Sequence, residues 1–443
     1  MNERPVKTAV ARTGGREAPV SPESPGGQSP VWRIVFLACA AAWLLFFALN
    51  PQRFFQVGIQ RFHVTVAPGN VQPVWFLDSF ALLASNDAVS AGLDPYKDNP
   101  LDYLRRPHIY GPAWLHLRDF GLTRAATVPF GLALGSAFFL VALLGLRPDS
   151  GRSVPWFLAM IGSVPVLLAL ERANNDLAIF VILAPVVPCL LSRRAVVRWL
   201  ALVPIAVAAD LKFYPAIAAW LLLAAAPPRE LRWRIALGGV ALALVGWHVA
   251  GDLRRILPVL PAVEGIFTFG AVAGFHEAGW HGPVPQVLAT MLGLLLFGWC
   301  WRMGPLADWA PAPAQRGAWL QFVLGAALLA GCFFTSQNYA YRWIFALWLA
   351  PLLWSLPRDC VTPGPVRRLA RVTAWLLLAA LWFDPLCTLA LNQWPAIDLA
   401  RALHWAFLVE QPLTWALFAC LLVFLAHFGR SGLGALRGNE TVK

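Results

Sequence analysis

The residues able to do chemistry stand out in this chain because they interrupt apolar sequence. Asp78 lies inside Val74-Trp75-Phe76-Leu77-Asp78-Ser79-Phe80-Ala81-Leu82-Leu83, a stretch apolar enough to rest in a membrane interface as a helix. A carboxylate in such a partly desolvated place can take a proton from a hydroxyl and serve as a general base. The plainer reading makes it the wet face of an interfacial helix. Asp210-Leu211-Lys212-Phe213-Tyr214-Pro215 is the second interruption. Ionisable residues at membrane depth are costly, so by default they mark function. Lys212 is one of only four lysines among 35 basic residues, and it is placed to meet a lipid phosphate at headgroup depth. The plainer reading is an Asp210–Lys212 ion pair, or a lysine that snorkels outward.

Three further segments carry polar groups between apolar runs. Glu171-Arg172-Ala173-Asn174-Asn175-Asp176 joins two runs with five polar residues out of six, more than a tight turn needs. It reads either as a capped turn or as a set of amides suited to sugar hydroxyls, with Arg172 for a phosphate. In Thr335-Ser336-Gln337-Asn338-Tyr339-Ala340-Tyr341-Arg342, residues 338, 341 and 342 share one helical face. Arg342 there is a second phosphate candidate, or else a snorkelling arginine in an aromatic belt. Gly274-Phe275-His276-Glu277-Ala278-Gly279-Trp280-His281 lacks the spacing of a helical zinc site, so no metal is expected, although His276 could assist a proton transfer. Asp384 and Asn392-Gln393-Trp394 are weaker echoes. The expected contacts to a donor sugar or an acceptor are Glu171, Asn174, Asn175, Asp210, Tyr214, Asn338, Tyr341 and His276.

The elements that must position these residues are membrane helices. The chain has 443 residues, 58% hydrophobic and 13% charged, and apolar runs of bilayer-spanning size recur along it. They lie near 31–49, 125–146, 154–170, 175–191, 197–209, 213–226, 234–250, 284–301, 318–334, 342–356, 369–384 and 405–427. The expected fold is an all-α, polytopic bundle of about 10–13 helices. Placing the N-terminus in the cytoplasm puts arginines in every second short loop, from Arg147 and Arg152 through Arg193, Arg194 and Arg198 to Arg367, Arg368 and Arg371. The net charge of +12 is thereby read as a membrane topology signal and not as a nucleic-acid surface. Most of the 23 acidic residues fall on the other, non-cytoplasmic side, which orientation alone does not require. The seven cysteines are scattered, mostly within apolar runs, and read as small core residues. Residues 1–30 are expected to be a disordered cytoplasmic tail. The run after them lacks a cleavage-type ending and is expected to stay as the first helix. A long outer loop, 51–124, follows it.

With these positions fixed, the chain resembles the integral-membrane glycosyltransferases of the GT-C superfamily, and most of all family 87, the polyprenol-phosphate-mannose-dependent mannosyltransferases and their relatives. The resemblance rests on Asp78 after the first helix, a Gly-x-x-Pro-Tyr turn (Gly92 to Tyr96), and Tyr110-Gly111-Pro112 before the next helix. A polar hairpin, Lys212 to Pro215, and Asn338 to Arg342 follow in order. It spans residues 31–356 in short, degenerate motifs; the hairpin departs from the Gly-Gln-x-Asn type more usual in the family.

The resemblance implies a catalytic core over 31–356, with C-terminal helices and a tail over 357–443. It implies Asp78 as catalytic base, and Lys212 and Arg342 on the donor phosphate. A hexosyl group, mannosyl in the family named, would pass with inversion from a polyprenyl-phosphate donor to a lipid or glycan acceptor, with no cofactor. The implied setting is a multi-pass protein of a bacterial inner membrane, active on its outer face. A transporter or flippase of a lipid-linked or polar solute is the rival class. Transporters tend to show internal repeats and midplane polar sites in both halves, and neither pattern is evident here.

Overall fold

The computed structural model describes residues 30–49, 75–224, 226–260, 268–306, 309–335, 338–392 and 399–437. The N-terminal tail, up to its last residue, and the first part of the long loop, 50–74, lie outside these residues. So do Gln393 and Trp394 and the side chains of Asp384 and Asn392.

The chain is a polytopic helical membrane protein. Its first helices are α1 (Pro30–Leu49), α2 (Leu77–Ser90), α3 (Thr127–Gly145), α4 (Ser153–Ile161), α5 (Val164–Arg172) and α6 (Asp176–Leu183). Then come α7 (Leu202–Leu211), α8 (Pro228–Ile256), α9 (Pro283–Met303), α10 (Arg316–Thr335), α11 (Gly364–Asn392) and α12 (Leu399–Arg437). Among the described residues, six helical stretches are long and apolar enough to cross a membrane, and the α4–α5 pair, bent by 43°, makes a seventh. The apolar runs near 175–191, 213–226 and 342–356 are instead built from shorter pieces. Proline explains the breaks, since it removes a backbone donor and clashes with the preceding turn. Pro185 follows α6, Pro215 opens the 3-10 helix Tyr214–Leu223, and Pro351 follows the 3-10 helix Ala340–Trp348.

Helix α10 forms the centre. The span containing it, Pro313–Thr335, is 78% buried where Pro228–Val259 is 11% buried. Its small residues let neighbours come close, as membrane helices require in the absence of a hydrophobic drive between them: a Cβ at Gly325 would meet Leu349 and the Phe345 carbonyl. Phe333 stacks on Phe418 of α12 with centroids 3.9 Å apart, so the C-terminal helices join the same core. A two-residue antiparallel pairing, β1 (Thr268–Phe269) with β2 (Asn338–Tyr339), pins the segment after α8 beside Asn338.

The segment from Ala91 to Phe120 is tied down along its length. Arg255, at the end of α8, holds Asp94 at 2.5 Å and lies 4.2 Å over the Tyr96 ring. His108 is buried between Tyr96 and Tyr110, and burial lowers its imidazole to about 4, so it stays neutral at ordinary pH. Asn86 of α2 donates to the Trp114 carbonyl and accepts from the Arg118 amide, both at 3.0 Å, fixing the 3-10 helix Pro112–Phe120. The Gly111 amide donates to the Leu211 carbonyl at 2.9 Å. A Cβ on Gly111 would collide with the Asp210 carbonyl. The Tyr-Gly-Pro motif is thus a backbone docking point against the C-terminus of α7. Gly111→Ala is expected to cost about 1–3 kcal/mol through overpacking, read as lower thermal stability and faster proteolysis near residue 111. Gly239→Ala, in open space on α8, should leave both measurements unchanged or slightly improved.

Candidate active site

The hairpin between α5 and α6 organises the polar interior. Helix α5 ends on Ala173 in the left-handed region (φ 41°), a usual way to stop a helix. The Asn174 side chain accepts from the Asp176 amide at 2.9 Å, a local turn that leads into α6. Helix α2 docks onto this turn: the Phe76 amide donates to the Glu171 carbonyl (2.8 Å) and Ser79 Oγ to the Ala173 carbonyl (2.7 Å). The first turn of α2 is therefore fixed directly against the hairpin.

Asp78 lies in that first turn and is buried, away from the solvent-facing position of an interfacial helix. Asn174 Nδ2 donates to Oδ2 at 2.7 Å, while Arg172 and Arg106 each donate an Nη1 to Oδ1 at 3.1 Å. Arg106 is itself held by Asp102, through Nε (2.9 Å) and Nη2 (3.0 Å), and by the Leu77 carbonyl (2.8 Å). Burial pushes the Asp78 carboxyl up, but Arg172, Arg106 and the Asn174 hydrogen bond outweigh it and hold the group below the usual carboxylate range. Asp78 is therefore ionised at neutral pH.

One residue further along the hairpin stands a second cluster. Asp176 is wholly buried, and its Oδ1 accepts from Lys212 Nζ (2.5 Å), Arg342 Nη1 (2.6 Å) and Tyr214 (2.8 Å). Lys212 also donates to Asn175 Oδ1 at 2.5 Å. Asn338 Oδ1 accepts from Arg342 Nε (3.2 Å) and Nη2 (3.0 Å), and the guanidinium lies 4.1 Å over the Tyr214 ring. Two cations against one carboxylate leave one net positive charge. Among the described residues, donors remain on both, since a lysine carries three and an arginine five. Asp176 Oδ2 and Asn175 Nδ2 are buried without a partner among the described residues. Because Asn174 touches Asp78 and Asn175 touches Lys212, consecutive residues about 3.8 Å apart at Cα connect the clusters.

Asp78, Arg172, Asn174, Asn175, Lys212, Tyr214, Asn338 and Arg342 are thus brought together from segments far apart in sequence. Glu171 is buried at the hairpin's start, and Tyr341 is buried with its ring 5.5 Å from that of Tyr339. Two expected residues stand elsewhere. Asp210 turns from Lys212 to His248 of α8, at 2.7 Å. His276 lies on the short helix Ala273–Glu277 with its ring 5.4 Å from His281, while its neighbour Glu277 pairs with His404. Three residues of the network were not singled out from sequence. Asp176 looked like a helix cap. Arg106 and Asp102 had only their four-residue spacing to distinguish them in a charge-rich loop.

A cavity of about 400 Å³ runs between α1 and α3, lined by apolar side chains including Phe47, Trp75 and Leu132. Its lining includes Phe76, whose amide is bound to the Glu171 carbonyl, and Leu170, which precedes Glu171.

A scan against protein-family models found no match, and a search of curated proteins found none either. Among solved structures the chain is similar to ArnT from Cupriavidus metallidurans. The apo form shares 14% identity over 90% of this chain and 78% of that one, with a TM-score of 0.35. The form bound to undecaprenyl phosphate shares 14% over 92% and 79%, with a TM-score of 0.36. A likeness this distant assigns no function.

Removing one member of a buried ion cluster leaves the others uncompensated, at about 3–5 kcal/mol. Asp176→Asn should therefore sharply lower the thermal unfolding temperature. Asp210→Asn, at a partly exposed pair, should shift stability by about 1 kcal/mol or less. Equal losses in the two variants would contradict the central place given to Asp176.

Proposed function

We propose that the chain is a membrane glycosyltransferase that moves a hexosyl group from a polyprenyl-phosphate donor to an acceptor hydroxyl on the non-cytoplasmic face. The observation that carries the reading is the pairing, through one hairpin, of an ionised buried carboxylate with two cations that retain unused donors. Nucleotide sugars stay in the cytoplasm, so a transferase on the other face needs a donor that the membrane delivers. Its leaving group is then a lipid phosphate at headgroup depth.

In this reading Asp78 accepts the proton of the acceptor hydroxyl. The hydroxyl oxygen forms a bond to the anomeric carbon, and the bond from that carbon to the phosphate oxygen breaks on the opposite side, with inversion. Lys212 and Arg342 stabilise the charge gathering on the departing polyprenyl phosphate, an electrostatic role for fixed, desolvated donors. Asp176 holds both cations in place and lowers their net charge, so the product phosphate can leave. The apolar cavity between α1 and α3 suits the first isoprene units of the donor. Mannose is the sugar that the family resemblance suggests. Glu171, Asn174, Asn175 and Tyr341 are the nearest groups for the sugar's hydroxyls.

The test is transfer from a polyprenyl-phosphate hexose in proteoliposomes. Asp78→Asn should lose at least about a hundredfold in kcat, the lower range for a general base; full activity in a normally folded variant would sink the base assignment. Lys212→Gln should raise the KM for donor while leaving that for acceptor unchanged. The acid limb of kcat/KM should lie below the ordinary carboxylate range, because Asp78 loses its charge only as pH falls through its lowered value. Arg172→Gln removes the cation that lowers the Asp78 carboxyl most and should move that limb to higher pH.

A further inference from the structure

On the other side of α2 is a second cavity, of about 770 Å³, that the reaction described above does not use. Its size is that of a small-molecule site. Phe80 and Asp87, seven residues apart on α2, contribute one wall. Asp102, Tyr103 and Arg105 contribute the second, and Arg124, just before α3, the third. Asp78, two residues before Phe80, points to a different face of the helix and into the hairpin.

The lining has a definite chemistry. Phe80 and Tyr103 stack with centroids 4.1 Å apart and planes 13° apart, and Tyr103 remains 50% exposed, so its outer face is open. Arg124 Nε holds Asp87 Oδ2 at 2.7 Å and Nη1 reaches the Leu101 carbonyl at 3.1 Å. Among the described residues, Asp87 Oδ1 and Arg124 Nη2 carry no hydrogen bond, which leaves the ion pair one acceptor and one donor. Arg105 is spoken for by Asp98, and the Asp102 carboxylate by Arg106 and the Leu104 and Arg106 amides. The two carboxylates and two guanidiniums of the lining cancel, so the cavity offers no net field to a phosphate. An open aromatic face beside a paired acceptor and donor, in a neutral cavity, fits a pyranose: ring C–H groups on the aromatic face and hydroxyls on the polar pair.

We propose that this cavity is a saccharide subsite, holding a neutral sugar unit of the acceptor next to the unit that reacts. The word acceptor rests on the transferase reading; the binding does not. Asp102 ties the site to the reaction centre, since the carboxylate in its wall is the group that holds Arg106 against Asp78. A glycan bound here would lie over the Arg106 segment and reach toward the first turn of α2.

Saturation-transfer NMR on the full chain in lipid nanodiscs tests the site without any transfer reaction. The probes are mannobiose and cellobiose, each free and on a lipid anchor, with mannose 6-phosphate as the anionic comparison. Wild-type protein should bind at least one neutral disaccharide more tightly than mannose 6-phosphate; tighter binding of the anchored form would mark a lipid-linked acceptor. Tyr103→Ala should weaken binding about tenfold, the worth of one aromatic contact, while Tyr103→Phe keeps it. Asp87→Asn should also weaken it. Absence of signal from both disaccharides, wild-type affinity in Tyr103→Ala, or a preference for the phosphate that Tyr103→Ala abolishes would each overturn the proposal. Asp78→Asn should retain saccharide binding. If it also retained transfer, the transferase assignment of Asp78 would fail while the subsite stood.

Discussion

A single oxygen of Asp176, wholly buried, accepts from Lys212, Arg342 and Tyr214, and that contact decides where four segments of the chain can stand. A charge without a partner at this depth is prohibitively unfavourable, whereas a hydrogen-bonded cluster is tolerable. The hairpin, the end of α7, the 3-10 helix that starts at Tyr214 and the one that starts at Ala340 must therefore meet at one point. The proline breaks serve the same demand. Lys212 and Arg342 lie at the ends of broken helices, where a polar side chain can turn inward without disturbing an unbroken span.

The Asp78 cluster depends on this point but differs in kind. Its carboxylate receives two guanidiniums and an amide, and one of those guanidiniums comes from a segment outside the membrane-spanning helices. That segment is held by Arg255 at one end and by Gly111 against the α7 backbone at the other. Asp78 is accordingly fixed from the hairpin side by the bundle and from the opposite side by the loop. Asp102, which lines the second cavity, is joined to Asp78 only through Arg106.

Much of this was legible in the sequence, for identifiable reasons. Charges inside apolar runs are rare enough that Asp78, Lys212 and Arg342 announce themselves, and the five polar residues of the hairpin exceed what a turn requires. The helical, polytopic fold was legible from run length alone. Partner choice was not. Asp210 stands two residues from Lys212 and was the obvious counter-ion, yet residues that close cannot share a helical face, and it pairs with His248 instead. Asp176 carries the same letter as any helix cap, and only its tertiary surroundings make it the centre. Arg106 sits beside Arg105, and nothing in the chain order separates the one that reaches Asp78 from the one that pairs with Asp98.

The order in which the Asp176 partners are made has a consequence for biogenesis. Lys212 follows Asp176 by 36 residues, but Arg342 follows by 166. At ordinary translation speeds of 5–20 residues per second, the arginine emerges roughly 8–33 seconds after the carboxylate. During that interval the nascent hairpin and the end of α7 can form a neutral pair, which an inserting bundle tolerates far better than a lone charge. The last cation then arrives with α10 already available to pack beneath it. The surplus positive charge is created only after helices α1 to α10 have been made, so the nascent protein does not have to shelter it while those helices are entering the bilayer.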